Sequence, residues 1–309
     1  MKKLSKITLG TAQLGMNYGI SNFLGKPSFV NAINLLKFAW ENGINSFDTA
    51  PAYGNSEDII GSFIESEIGN EVNDLIIISK LPKIEIKDDL TFKFVYDYIH
   101  RQIENSLKHL KIQKIPVYLL HHTPDLFLKN DIVINCLSQL KKEGLLDRFG
   151  VSIYTPEEAK LCLNYKEINA IQLPINIFDL RLFNNDLFEK LRSKDYLILG
   201  RSVYLQGLFF LSPENLPEYL SFAKEYLIKL KKISEDNNID IAKLSFLFVR
   251  DIPQIDSLII GAENIEQIAY NLKLINEKPL SKDMKQIIFE EFSEIPEKLI
   301  NPSLWNKRK

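Results

Sequence analysis

Phe47-Asp48-Thr49-Ala50-Pro51-Ala52-Tyr53-Gly54-Asn55-Ser56-Glu57 is the stretch on which the reading of this chain turns. An apolar strand ends at its start, and an acid and a tyrosine follow it five residues apart. Two other apolar runs stop on reactive side chains: Leu75-Ile76-Ile77-Ile78 on Ser79-Lys80, and Val117-Tyr118-Leu119-Leu120 on His121. A carboxylate, a phenol, an ammonium and an imidazole carried at three strand ends imply one catalytic cluster. In strand–helix barrels the chemistry collects at the C-terminal ends of the strands.

Outward from that stretch, short apolar runs alternate with longer amphipathic ones. The expected strands are Ile7–Gly10, Ile44–Phe47, Leu75–Ser79, Val117–Leu120, Phe149–Ser152, Ala170–Leu173, Leu197–Gly200 and Ser257–Ile260. Eight such runs separated by helices predict an α/β chain with eight parallel strands, a (β/α)8 TIM barrel. Ser28 is placed to cap a helix whose Ile33, Leu36 and Trp40 share one face and which stops near Gly43. Asn55 with Asp58 has the spacing of a capping arrangement, and Thr155-Pro156-Glu157-Glu158 reads as a cap, a first-turn proline and helpful negative charge. About sixty residues separate the seventh and eighth strands; an extended loop is expected over 205–219 and a helix over 217–237. No low-complexity linker divides the chain, so residues 1–309 are expected to form a single barrel domain. A doubly wound open sheet is the alternative. It calls for a phosphate-binding fingerprint after the first strand, and Gly10-Thr11-Ala12-Gln13-Leu14-Gly15 has the wrong glycine spacing.

The bulk numbers narrow the function classes. The 309 residues carry 38 basic and 40 acidic side chains, a formal charge of −2, which gives no footprint for nucleic acid. The basic end, Asn306-Lys307-Arg308-Lys309, is read as a solvated tail. Cys136 and Cys162 are too few for a disulfide framework and are read as buried core thiols in a reducing compartment. Polar residues interrupt the N-terminal segment, and no apolar run approaches a membrane span, so the expectation is a cytoplasmic protein with no membrane partner.

The four strand-end groups suit proton donation to a carbonyl oxygen. A free phenol has a pKa near ~10, and a neighbouring ammonium lowers it. Lys80 is placed to supply that charge to Tyr53, Asp48 to hold Lys80, and His121 to orient a carbonyl. The hydride has to come from elsewhere, and a nicotinamide is the natural source. Other readings are open: a cofactor-binding regulatory or scaffold subunit without significant turnover, and a lyase using Lys80 as a Schiff-base nucleophile. A metal at His121 and His122 is disfavoured, because neighbours in extended chain point to opposite faces. His100 and His109 are read as surface helix residues without a partner.

These residues resemble the aldo-keto reductases. The resemblance runs in order through Leu9 to Gly15, Phe47 to Glu57, Ser79-Lys80, Leu120-His121, Gly150-Val151-Ser152, Ile171-Gln172, Arg201-Ser202-Val203 and Gly261 to Leu272. It implies a nicotinamide-dependent reductase of small aldehydes or ketones, sugar-derived carbonyls among them, acting as a monomer or weak homo-oligomer. It implies NADP(H) as cofactor, with NAD(H) the alternative, and a catalytic set of Asp48, Tyr53, Lys80 and His121. Ser152 and Gln172 would hold the nicotinamide carboxamide. Gly10, Thr11, Ala12, Asp48 and Arg201 would line the cofactor site. Ser202, Val203, Leu205, Gln206 and Gly207 would wrap the pyrophosphate, and Gly261, Ala262, Gln267 and Asn271 would lie at the adenosine end. The chain departs from the family pattern where Ile153 replaces an asparagine and Arg201 an aromatic residue. It departs again where Gly261 and Gln267 replace the lysine and arginine that hold the adenosine 2′-phosphate; Lys273 is a candidate substitute. Because the first strand is expected almost at once, the N-terminal hairpin that often plugs the barrel bottom in this family is not expected here. Tyr18, Phe178, Tyr204 and Trp305 are the aromatic candidates around the substrate, beside a short loop from His122 to Asn130.

Overall fold

The computed structural model describes residues 3–85 and 90–305. The eight strands are β1 (Ile7–Gly10), β2 (Ser46–Asp48), β3 (Ile76–Leu81), β4 (Ile115–Leu120), β5 (Leu146–Ser152), β6 (Ala170–Pro174), β7 (Leu197–Arg201) and β8 (Ser257–Gly261). Each pairs in parallel with the next, and β8 pairs back onto β1, closing the barrel. Every expected strand is present; β1 has the expected bounds and the other seven have shifted ends. β2 begins at Ser46 rather than Ile44 and includes Asp48; β3 runs on through Lys80 to Leu81.

Side chains alternate across a strand, and that period of two sorts each strand into an inner and an outer face. Ile76, Ile78, Val117, Leu119, Ala170, Leu197 and Leu199 pack as one apolar cluster inside the barrel. Thr8, Ser46 and Ser257 have the same parity and are fully buried. Their hydroxyls satisfy one another, Thr8 Oγ1 lying 2.8 Å from Ser46 Oγ and 2.7 Å from Ser257 Oγ. The alternate residues, among them Leu9, Phe47, Ile77, Phe149, Ile171, Ile198 and Leu258, pack outward in the larger core shared with the helices.

The same parity, carried to the C-terminal strand ends, turns Asp48, Lys80, Ser152, Gln172 and Arg201 inward. Local signals set the helices that make this possible. Ser28 Oγ accepts from Asn31 N–H at the start of Phe29–Glu41, which ends before Gly43 at φ +86°. Thr155 and Glu158 form the reciprocal capping box at the start of Pro156–Cys162. Asn55 occupies the N-cap position of Ser56–Phe63 but its side chain makes no cap bond; Lys26 Nζ donates to it instead. Asp58 likewise bonds His109 Nδ1 at 2.6 Å, and His100 lies 3.4 Å from Glu104, so both surface histidines have partners. The segment after β7 is a series of short 3-10 turns rather than an extended loop, followed by the helix Lys224–Asp236. Cys136 and Cys162 are free and buried, and burial pushes both thiols up to about 12. No helix among the described residues is long and apolar enough to cross a membrane. The basic end, Asn306 to Lys309, lies outside the described residues.

Candidate active site

Asp48 closes β2, in register with Gly10 of β1 and Ile78 of β3. Thr11 fixes that strand end from the neighbouring loop: its N–H and its hydroxyl both donate to the Asp48 carbonyl, at 3.0 and 2.8 Å. Lys80 reaches in from β3 and spends its three donors locally. Nζ lies 2.8 Å from each Asp48 carboxylate oxygen and 2.8 Å from the Thr49 carbonyl. The pair is sealed from water, with side-chain exposures of 0% for Lys80 and 5% for Asp48. Gln172 Nε2 donates to Asp48 Oδ1 at 2.7 Å, and Ser152 Oγ donates to Gln172 Oε1 at 3.0 Å. Residues from β2, β3, β5 and β6 thus form one hydrogen-bonded network across the barrel mouth.

Tyr53 sits on the turn after β2. Its ring meets the His121 ring edge to face, centroids 5.8 Å apart at 88°, and Lys80 Nζ lies 4.7 Å from its centroid. The next residue, His122, turns away to bond Asp125 through Nδ1 at 2.8 Å. Two glycines let this turn lie against the short helix Ala12–Gly15. A Cβ on Gly15 would sit 1.8 Å from the Tyr53 carbonyl oxygen, and one on Gly54 (φ +62°) 2.3 Å from the Gly15 carbonyl oxygen. Gly15→Ala is therefore expected to displace the Tyr53 turn and lower kcat by at least about tenfold, since misplacement by about 1 Å can cost about 10²-fold. Turnover measured beside the urea midpoint checks this; unchanged kcat in a folded variant would show that the contact does not position Tyr53.

The electrostatics differ from expectation at one group. Lys80 was expected to lower the Tyr53 pKa, but the phenol is pushed well above its ordinary value, by burial first and by the Asp48 carboxylate second. The ammonium is committed to Asp48 and Thr49, and the cation that draws the phenol down is Arg201. Lys80 is lowered by burial, against the opposing pull of Asp48. His121 is pushed from 6.5 to about 4 by burial, then by Lys80 and Arg201, so its imidazole is neutral near pH 7.

A cavity of about 1170 Å³ opens above this cluster, larger than the usual range for small-ligand sites of up to about 1,000 Å³. Its wall includes Gly10, Thr11, Ala12, Asp48, Tyr53, His121, Ser152, Gln172, Arg201, Ser202, Val203, Gln206, Gly207, Gly261, Gln267 and Asn271. Lys80 lies beneath that wall, bonded to Asp48. Leu205 and Ala262, also expected at the cofactor, bury their side chains in the apolar core and are not part of the cavity wall. Tyr18, Tyr204 and Trp305 line the cavity. Phe178 instead packs against Phe209 and Phe292, centroids 4.9 and 4.7 Å away, because Asn176–Asp179 is a tight turn facing the helix Lys282–Phe292. Gln13, Tyr154, Glu263 and Tyr270 also line the cavity and were not anticipated as site residues. Glu263 could have been found, since it lies inside the Gly261 to Leu272 segment; the others depend on how loops and helices dock.

The β7 wall has the character of a ligand clamp. Arg201 stacks 4.6 Å from the Tyr154 ring centroid and donates to the Ile153 carbonyl at 2.8 Å and Ser202 Oγ at 3.1 Å. Ser202, Leu205 and Gln206 hold φ of +64°, +46° and +55°, a left-handed conformation that side chains resist and that persists where surrounding structure enforces it. Gly207 follows at φ +90°, and a Cβ there would fall 1.9 Å from Ser21 Oγ.

Comparison with known proteins places this arrangement. The chain is 26% identical over 297 residues to the uncharacterized oxidoreductase YqkF of Bacillus subtilis, covering 91% of this chain and 90% of that protein. It is 24% identical over 301 residues to the NADH-specific methylglyoxal reductase of Escherichia coli, covering 88% and 90%. The fold superposes on the holo form of the aldo-keto reductase AKR11C1 from Bacillus halodurans with a TM-score of 0.75, at 22% identity over 96% of each chain. The model of the Aldo/keto reductase family matches residues 6–290, and the chain belongs to that family of oxidoreductases acting on carbonyls.

Proposed function

We propose that the protein is a nicotinamide-dependent reductase that converts a small aldehyde or ketone, sugar-derived carbonyls among them, to an alcohol. The observation that carries this reading is the convergence of Asp48, Tyr53, Lys80 and His121 at one end of the barrel, under a cavity large enough for a dinucleotide and a small substrate. A bound nicotinamide supplies the hydride. Tyr53 gives its phenolic proton to the carbonyl oxygen as that oxygen gains charge. An alkoxide is a stronger base than a phenolate, so the transfer runs downhill even from a raised phenol. Arg201 stabilises the phenolate that results, and Asp48 and Lys80 hold each other in place beside it. His121, neutral, donates a hydrogen bond that orients the carbonyl. Gln172, anchored by Ser152 and Asp48, presents its amide to the carboxamide of the cofactor. The positive-φ turn at Ser202–Gly207 gives a backbone cradle for the pyrophosphate.

The family resemblance favours NADP(H), with NAD(H) as the alternative; the name of the methylglyoxal reductase relative favours NADH. Action as one barrel domain, in the cytoplasm, as a monomer or weak homo-oligomer, belongs to the same proposal. The Lys80 lyase reading fits poorly, because a Schiff-base amine has to be free and neutral whereas Lys80 makes three donor contacts in a buried ion pair.

Consumption of reduced cofactor with a panel of aldehydes and ketones, methylglyoxal included, tests the proposal. Turnover is expected, and kcat/KM is expected to show no histidine-type step between about pH 5 and 8, because His121 stays neutral there. Absence of turnover across the panel, in protein that binds cofactor, would favour the regulatory-subunit reading. A step near the ordinary histidine value that vanished in His121→Gln would contradict the role given to His121.

A further inference from the structure

The cavity is unevenly charged. Its lining carries three charged side chains among the described residues: Asp48, Arg201 and Glu263. Asp48 is paired with Lys80, and Arg201 is turned toward β5, on Ile153 and Tyr154. Glu263 stands apart from both, in the lobe past the end of β8, with Gln267, Tyr270 and Asn271. No lysine or arginine among the described residues lines that lobe. Lys273 sits in the last turn of the helix Ile265–Ile275, away from the end that faces the cavity.

Several donors in the lobe are already engaged. Glu263 N–H donates to Gln267 Oε1 at 2.8 Å, and Gln267 N–H donates to Asn264 Oδ1 at 2.9 Å. The Tyr270 hydroxyl donates to Asp240 Oδ2 at 2.6 Å, which brings a second carboxylate behind the lobe, and the Tyr204 hydroxyl is spent on Asn271 Oδ1. A phosphate dianion arriving here would meet the Glu263 carboxylate with no lysine or arginine among the described residues lining the lobe to offset it. A ribose diol would meet an acceptor. In doubly wound dinucleotide-binding folds an acid bonds the ribose 2′-hydroxyl of NAD, whereas an arginine accommodates the 2′-phosphate of NADP, and the same chemistry applies to a carboxylate in this lobe.

In the reductase reading the nicotinamide lies over Tyr53 and His121, and the same cavity runs past the β7 wall into the β8 lobe, which leaves room there for the adenosine ribose. We infer that Glu263 is a specificity-determining residue that accepts a hydrogen bond from the adenosine 2′-hydroxyl, and that this chain selects NAD(H) over NADP(H). The inference rests on the reductase reading. It sets the residues of this lobe against the family preference for the phosphorylated cofactor.

Titration of the full-length protein with NADH and with NADPH, followed by fluorescence, tests it without need of a substrate. NADH is expected to bind at least about tenfold more tightly than NADPH. Glu263→Lys is expected to tighten NADPH and weaken NADH, shifting the ratio by about tenfold or more, since it replaces repulsion by a charge-assisted bond. Glu263→Gln keeps the side-chain shape and is expected to lose part of the NADH preference. Equal or tighter binding of NADPH by the unmodified protein would overturn this inference alone, as would a ratio unmoved in both variants. Binding of neither dinucleotide by folded protein would overturn it together with the reductase reading.

Discussion

Tyr53→Phe is expected to cut kcat by about 10²- to 10⁴-fold, the usual span for removing a positioned general acid, while cofactor still binds. The substitution removes one oxygen and leaves the ring, so the edge-to-face contact with His121 at 5.8 Å and the Lys80 contact at 4.7 Å survive. Folding and the cavity wall should therefore be preserved, and the loss should appear in the proton-transfer step alone. Without the phenol, a water or His121 would have to protonate the forming alkoxide, and His121 is held neutral with its pKa near about 4. Steady-state kinetics with a cofactor titration on the same preparation separates the two quantities. Near-normal kcat in this variant would remove Tyr53 from the mechanism.

The second large effect is expected at Lys80. Lys80→Met takes the cation out of a pair whose carboxylate partner is almost fully buried, leaving Asp48 charged with only Gln172 donating to it. Breaking a buried pair in this way costs about 3–5 kcal/mol, far more than losing a surface ion pair. Turnover should fall as well, by about 10²-fold or more, since the orientation of the cluster is lost. Lys80→Met combined with Asp48→Asn distinguishes the two losses. The double variant should regain much of the stability, because no unpaired charge is left, yet stay inactive. Urea unfolding and kcat for the single and double variants measure both. A Lys80→Met protein within about 1 kcal/mol of the original would mean that the pair is far more hydrated than its burial indicates.

The barrel and the core of the site were legible for one physical reason. Residues at consecutive strand ends share one end of a parallel barrel, and a period of two decides which of them face inward. Asp48, Lys80, Ser152, Gln172 and Arg201 satisfy both conditions; strand position pointed to Asp48 and Lys80, whereas Ser152, Gln172 and Arg201 entered through the family resemblance. Glu263 lay within a recognised segment, but its meaning depended on which charges surround it after folding. Phe178 was misplaced because its surroundings are set by the docking of Lys282–Phe292, more than a hundred residues later in the chain. The burial of the Leu205 and Ala262 side chains was hidden for a related reason: a loop that wraps a ligand also needs side chains that anchor it to the core, and sequence order does not distinguish the two. The sign of the Tyr53 shift could not be read either. It is set first by burial of the phenol and then by the Asp48 carboxylate, while the Lys80 charge is spent on Asp48, and these depend on how the folded chain packs around the ring.

The central claim is that this site moves a hydride from nicotinamide to a carbonyl carbon while Tyr53 supplies the proton. Incubation with cofactor deuterated at the nicotinamide C4, each face in turn, and a panel of carbonyls tests it directly by mass spectrometry of the alcohols. The account expects deuterium on the carbinol carbon from one face only, and its loss in Tyr53→Phe. Cofactor that binds but leaves no label in any product would contradict the account and point to a barrel that holds the dinucleotide without using it.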